Sequence, residues 1–232
     1  GNTSEPPSGA ILFQGSWQNI FISPSGNVTI SGNSDAGIPL IKFDGADNVT
    51  IDGLNSNGNA LRVLNTSTSS VSGTSTILLQ NDASSNRITN CELFGSSTVS
   101  FSGDNNGGVI SFGKSQGMVT GNDNNSISYC SIGPAGSNYP NKCISFKGTT
   151  TAPTLNNSGD SIINCTIYDF FNDSAQSGGI YVGTGNQNMV FKNNKFFQTT
   201  PRTFSTYTFH SAIWIDSRNG TSNGFDISGN RL

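Results

Sequence analysis

Two patterns of apolar and polar positions alternate along this chain. The first reads apolar, any, apolar, at Ile41/Phe43, Ile77/Leu79, Ile110/Phe112, Ile144/Phe146, Ile180/Val182 and Ile213/Ile215. Its apolar residues share parity, which predicts a flat strand with one buried face. The second pattern has an apolar residue, a central position three residues on, and another apolar residue two further along. It occurs at Ile88/Cys91/Leu93, Ile127/Cys130/Ile132, Ile162/Cys165/Ile167, Phe191/Asn194/Phe196 and Ile227/Asn230/Leu232. Two earlier copies are partial: TISGNSD supplies Ile30 and Asn33, and TIDGLNS supplies Ile51 with Leu54 in the central place.

A separation of three breaks strand parity, so the chain must turn before the central position. The residue just before it is Gly32, Gly53, Asn90, Tyr129, Asn164, Asn193 or Gly229. All but Tyr129 are types that tolerate left-handed backbone angles. One coil therefore comprises a flat strand, a variable loop, the cornered pair and another variable loop. The copies are unevenly spaced, as in a solenoid where only the stacked part must repeat. The expectation is an all-β solenoid of about seven coils with variable loops.

Stacked coils place equivalent residues about 4.8 Å apart. Cys91, Cys130 and Cys165 would then form one internal column, continued by Asn194 and Asn230. A small thiol suits a tight buried corner, and asparagines in the same column can bond their amides coil to coil. A disulfide between neighbouring coils is the alternative. A metal site fits poorly, because zinc needs four converging ligands and a column lines its thiols along an axis. Cys143 has the opposite parity to Ile144 and is expected to face outward.

Such coils resemble the right-handed parallel β-helix of pectate lyases, polygalacturonases, phage tailspikes and many bacterial surface proteins. The resemblance covers residues 27–232 and leaves 1–26 as an N-terminal cap or irregular first coil. It concerns architecture and implies no particular activity. The phrases NVTIDGLN, GNDNNSISYCSIGP and TTTAPTLNNSGDSIINCTIYDFF are similar to segments of very large secreted proteins of bacteria that use type IX secretion. That likeness implies an extracellular, cell-surface location.

Composition narrows the partners. Charged residues make up 11% of the chain and the net charge is −3. This gives no electrostatic reason to bind nucleic acid or an acidic membrane. No apolar run approaches the roughly 20 residues that cross a bilayer. Four cysteines in 232 residues are too few for a disulfide scaffold. The chain starts at Gly1 and stops at Leu232, the last inward residue of a frame, with no polar cap after it. The expectation is a segment of something longer, with adjoining coils or another protein against its C-terminal end.

Catalytic machinery is not evident. The polygalacturonase-like class implies a Gly-His-Gly and an Arg-x-Lys segment, and neither occurs here. A lyase needs clustered acids for calcium and a base for proton abstraction. The residues expected to point outward from the flat strand are Lys42, Leu78, Ser111, Ser145, Tyr181 and Trp214. No catalytic residue, cofactor or resident metal is therefore expected. Asp44, Asp47 and Asp52 could hold a cation, although turn aspartates usually make local backbone bonds. Lys192, Lys195 and Arg231 could meet an anionic glycan, or simply protect an exposed sheet edge. Phe204, Tyr207 and Phe209 lie in FFQTTPRTFSTYTFH, which either projects to stack on a sugar or a neighbour, or packs along the helix side. The functional expectation is a non-catalytic structural or adhesive segment that contacts glycans or other surface proteins. The alternative is a polysaccharide-processing β-helix enzyme, lyase or glycosidase-like, or its inactive glycan-binding relative.

Overall fold

The computed structural model describes residues 1–17, 19–102, 106–115, 119–149, 152–206, 208–216 and 222–232. The chain winds as a parallel β-helix with three faces. The first face stacks Thr3–Ser4, Asn27–Gly32, Ala60–Asn65, Cys91–Gly95, Ser131–Pro134, Thr166–Tyr168 and Lys195–Phe197. The second stacks Ala10–Phe13, Pro39–Asp44, Ser75–Gln80, Gly108–Phe112, Lys142–Phe146, Ser177–Val182 and His210–Ile215. The third stacks Ile20–Ile22, Val49–Asp52, Arg87–Thr89, Ser126–Ser128, Ser161–Ile163, Val190–Lys192 and Asp226–Ser228. Each sheet holds seven strands, so about six turns separate the first coil from the last. Among the described residues there is no α-helix. Residues 1–26 supply the first strand of each seven-stranded sheet: Thr3 pairs with Ile30, Ala10 with Ile41 and Ile20 with Val49.

The flat-strand pattern is the second face. Ile41, Ile77, Ile110, Ile144, Ile180 and Ile213 pair in one continuous register. Two residues on, Phe43, Leu79, Phe112, Phe146, Val182 and Ile215 form the next inner column, with the rings of Phe112 and Phe146 stacked 4.2 Å apart. The cornered pattern joins the third face to the first. Asn90, Tyr129, Asn164, Asn193 and Gly229 hold it with φ of 55°, 53°, 55°, 55° and 66°.

The two partial copies align differently from the expectation. Ile30 pairs with Val63, and Val63 with Leu93, so Ile30 belongs to the second apolar column. The Cys91 column continues through Leu61 and Val28, leaving Asn33 and Leu54 outside it. A turned excursion over residues 53–59, closed by the Ser56–Asn59 bridge, separates that corner from its strand. The repeat resumes only after the insertion.

A second corner precedes the third face. Asn48, Ser85, Asn124, Gly159, Asn188 and Gly224 carry φ of 57°, 57°, 58°, 72°, 55° and 72°. The residues that follow them are Val49, Asn86, Asn125, Asp160, Met189 and Phe225. All six stack inside the helix as one column. In its polar middle, Asn125 Oδ1 accepts from Asn86 N (3.0 Å) and Asn86 Nδ2 (3.1 Å). A parallel ladder runs Asn122–Asn157–Asn186, with Asn122 Nδ2 donating to Asn157 Oδ1 (3.0 Å) and Asn157 Nδ2 to Asn186 Oδ1 (3.0 Å). An amide presents donor and acceptor at once, so a column of identical amides satisfies itself inside an apolar core.

The thiol column obeys the same rule. Cys91, Cys130 and Cys165 stack on successive coils, and each thiol also points at the carbonyl two residues before it, Thr89 O (3.1 Å), Ser128 O (3.2 Å) and Ile163 O (3.5 Å). Cys165 Sγ points at Ile127 O (3.6 Å) and Cys130 Sγ at Ile88 O (3.7 Å). One coil further, Asn194 Nδ2 donates to the matching carbonyl of Ile162 (2.9 Å), and Asn230 Nδ2 to Phe191 O (2.8 Å). Thiol and amide thus fill one donor position. The neighbouring thiols, together with burial, push the Cys130 pKa well up, while the bond with Cys130 draws that of Cys165 down.

Cys143 does not face outward. It is fully buried in the core, with Sγ 3.8 Å from Ile132 O and 3.7 Å from Tyr168 O. Strand parity fails at the entrance of the second face. There Leu40, Val109 and Cys143 are fully buried in the core cluster, and Thr76 Oγ1 reaches back to Phe94 O on the first face (2.7 Å). Burial pushes the Cys143 thiol pKa up. The outer side of this face is not open either: Leu78, Ser111, Ser145 and Tyr181 are buried. The segment after Cys91–Gly95 folds over them. Phe101 stacks on Trp214 (5.2 Å) and meets Tyr181 edge-on (4.9 Å), and Ser145 Oγ donates to Gly107 O (2.9 Å). Lys142 Nζ is drawn under this flap, donating to Ser100 O (2.7 Å) above the Phe101 ring (5.1 Å). Burial pushes the Lys142 pKa down to about 7, with a smaller contribution from Lys147.

Two outcomes test this packing. Native protein is expected to give no reaction with a thiol-specific reagent and four thiols per chain after denaturation, since Cys91, Cys130, Cys143 and Cys165 are all buried and free. A native reading of one thiol or more contradicts this packing. Tyr129 is 59% exposed yet sits in the left-handed corner that asparagine occupies in the adjoining coils. Tyr129→Asn should therefore stabilise the fold by about 1 kcal/mol in urea titration.

Candidate functional site

A concavity of about 700 Å³ lies at the last coils between the first and second faces. Phe170, Phe171, Phe196, Phe204, Arg202 and His210 form much of its wall. The floor comes from strand ends, and the outer wall from the segment that follows Lys195–Phe197. That segment packs along the helix side. Ser205 N donates to Asp173 O (2.8 Å), Thr206 Oγ1 to Ser174 O (3.0 Å) and Gln198 Nε2 to Phe170 O (2.9 Å).

Arg202 is the clamp that holds this wall. Its Nη2 meets Asp169 Oδ1 at 2.5 Å and its Nε donates to Gln198 Oε1 (3.0 Å). The guanidinium lies 4.1 Å over the Tyr139 ring and 5.3 Å from Phe171. Asp169 also accepts from Thr199 N (2.8 Å) and Thr199 Oγ1 (2.6 Å). Burial works against the Arg202 charge, but hydrogen bonds with Tyr139 and Asp169 outweigh it and raise its pKa. Sequence reasoning missed both residues. Their pairing joins neighbouring coils across uneven loops, and nothing local marks it.

His210, the sole histidine, shares a hydrogen bond of 2.7 Å between its Nδ1 and Ser177 Oγ. The two residues are register partners on adjacent coils. The imidazole tilts against the Phe204 ring with centroids 3.9 Å apart, and burial lowers its pKa, favouring the neutral ring. Its Nε2 is buried and has no partner among the described residues, and the same holds for Ser211 Oγ. A nucleophilic serine site needs a carboxylate to orient its histidine, and neither imidazole nitrogen meets one here. The contact is a cross-coil hydrogen bond that leaves one polar edge of the ring unused.

The sequence candidates fall as follows. Phe204 lines the cavity and is 45% exposed. Phe209 is 62% exposed, 5.8 Å from the Trp214 ring, and Tyr207 lies outside the described residues. Lys195 and Arg231 are register neighbours, with Lys195 Nζ over the Phe197 ring (4.8 Å). Lys192 is spent on Asp226 at 2.5 Å. Asp44 binds Lys42 and Asn81, Asp47 accepts from Ser84 N, and Asp52 accepts from Leu54 N and Asn90 Nδ2. Among the described residues no three His, Cys, Asp or Glu side chains group to hold a metal ion.

No protein-family model matches the chain, and no curated protein does. Among solved structures it is similar to an alginate lyase from Paenibacillus sp. str. FPU-7, at 12% identity over 93% of this chain and 86% of that one, with a TM-score of 0.37. Likeness at this level carries nothing about activity.

Removing Arg202 strands a buried Asp169 carboxylate. Arg202→Ala is expected to cost about 3 kcal/mol in urea unfolding. It should also speed amide hydrogen exchange across residues 198–206 while exchange in the three sheets stays slow. Unchanged stability would show the clamp to be ornamental.

Proposed function

We propose that this chain is a non-catalytic segment of a secreted bacterial surface protein, a stiff rod whose corner loops contact glycans or neighbouring surface proteins. The observation that carries the proposal is the cavity at the last coils. It combines aromatic faces, half-exposed Phe204 among them, with His210 and Ser211 in its wall, whose Nε2 and Oγ are buried and meet no partner among the described residues. A pyranose ring offers a matching pair of surfaces, an apolar face for a ring and hydroxyls for a nitrogen and an oxygen. The charged side chains outside support binding over chemistry. Lys42–Asp44, Arg62–Glu92, Lys192–Asp226 and Arg202–Asp169 are each committed to ion pairs. The surface location rests on the likeness of NVTIDGLN and related phrases to type IX-secreted proteins.

A glycan array probed with the wild type and with Phe204→Ala tests the contact. At least one glycan class is expected to bind, with affinity falling about tenfold or more in the variant. Incubation with uronic-acid and neutral polysaccharides should yield neither unsaturated products nor new reducing ends. Sustained turnover of any of them would overturn the non-catalytic assignment in favour of a polysaccharide-processing enzyme.

A further inference from the structure

The ladder that starts at Asn86 ends on a residue of a different kind. Asp160 Oδ1 accepts from Asn125 N (2.8 Å) and Asn125 Nδ2 (3.0 Å), just as Asn125 Oδ1 accepts from Asn86 N and Nδ2. Oδ1 therefore occupies the place of an amide oxygen. The second oxygen, Oδ2, occupies the place of an amide nitrogen. It is buried and no group donates to it.

In this column and in the one that holds Asn194 and Asn230, each amide nitrogen donates to the same backbone position. Asn86 Nδ2 donates to Ala46 O (2.7 Å) and Asn125 Nδ2 to Ala83 O (2.9 Å). Asn194 and Asn230 donate to Ile162 O and Phe191 O. Each acceptor lies three residues before the preceding member of the column. For Asp160 that position is Asn122. On its other side the column continues with Met189, which offers no hydrogen to an anion. A carboxylate here would set a bare charge against a carbonyl oxygen and a thioether in a dry core, at a cost that neutral groups escape.

We propose that Asp160 is a carboxylic acid in the folded protein, its Oδ2 carrying the proton and donating to the Asn122 carbonyl, so that the ladder is closed by a proton rather than by an amide. The consequence is a pH-sensitive lock inside the solenoid. Burial, opposed by the bonds from Asn125, pushes the pKa of Asp160 well above its ordinary value. Of the charged groups on adjoining coils, Asp123 acts in the same direction, and Lys192 is already paired with Asp226 at the surface. An acid with a raised folded pKa leaves the folded state holding a proton that the unfolded chain releases. Its contribution is complete below the ordinary aspartate range near 4 and declines as pH rises toward the folded value.

Asp160→Asn supplies the missing donor permanently. The ratio of the wild-type to the variant unfolding constant, from urea titrations between pH 4 and pH 8, should grow by up to about tenfold per pH unit. The variant should be the more stable at pH 8. A ratio that stays flat across this range overturns the proposal, as does a variant that fails to fold, since the amide should complete the ladder. Carboxyl-carbon NMR of the wild type gives an independent reading. A signal still protonated at pH 6 supports the lock, and one titrating near 4 refutes it.

Discussion

Everything in this molecule answers to the parallel pairing of each coil with the next. Strands in register at about 4.8 Å force every inward side chain to accept the residue one turn above and below as its neighbour. Aliphatic chains meet that demand by van der Waals contact, and rings do so by stacking, as Phe112 does on Phe146. Polar groups meet it only when they donate on one side and accept on the other. Asparagine does so twice over, in the columns of Asn86 and Asn122, and thiols reach the preceding coil more weakly, Cys130 toward Ile88 O and Cys165 toward Ile127 O. Asp160 is tolerated on the same terms, provided that it keeps its proton.

The corners follow from the columns. A strand that must turn to present a residue inward needs a left-handed backbone just before that residue. Asparagine and glycine supply it at both corners of the third face, except at Ser85 and Tyr129. Between corners the chain is free to differ in length, and that freedom is where binding surfaces arise. The flap carrying Phe101 and the wall carrying Arg202 are insertions of this kind. Each is pinned by a cation against aromatic rings, Lys142 in one case and Arg202 in the other. The cavity at the last coils exists because one such wall stands off from the strand ends.

Much of this was legible in the order of residues, because stacked positions repeat their chemistry. The Ile41 and Ile51 columns, the corner at Asn90 and the kinship of Cys91, Cys130 and Cys165 all follow from the recurring frames. The second corner left a trace as well. A small or amide residue stands three positions before each first apolar residue, as at Asn124 before Ile127 and Gly159 before Ile162. Leu61 could not be assigned, since a hairpin-like insertion at residues 53–59 displaces the frame, and Val28 stands six residues after Ile22 instead of three. The orientation of Cys143 was equally hidden, because parity fails where the second face bends toward the first.

By itself, then, the order of residues determined the architecture. A periodic pattern of apolar, amide and left-handed positions admits few solutions other than stacked coils. The tertiary structure alone decided what the loops cover, which charges find partners and where an unsatisfied polar atom is left. Those outcomes depend on how unequal segments from different coils meet over the faces. Asp169 reaching Arg202, and Phe101 covering Tyr181, are contacts between residues whose separation follows no period.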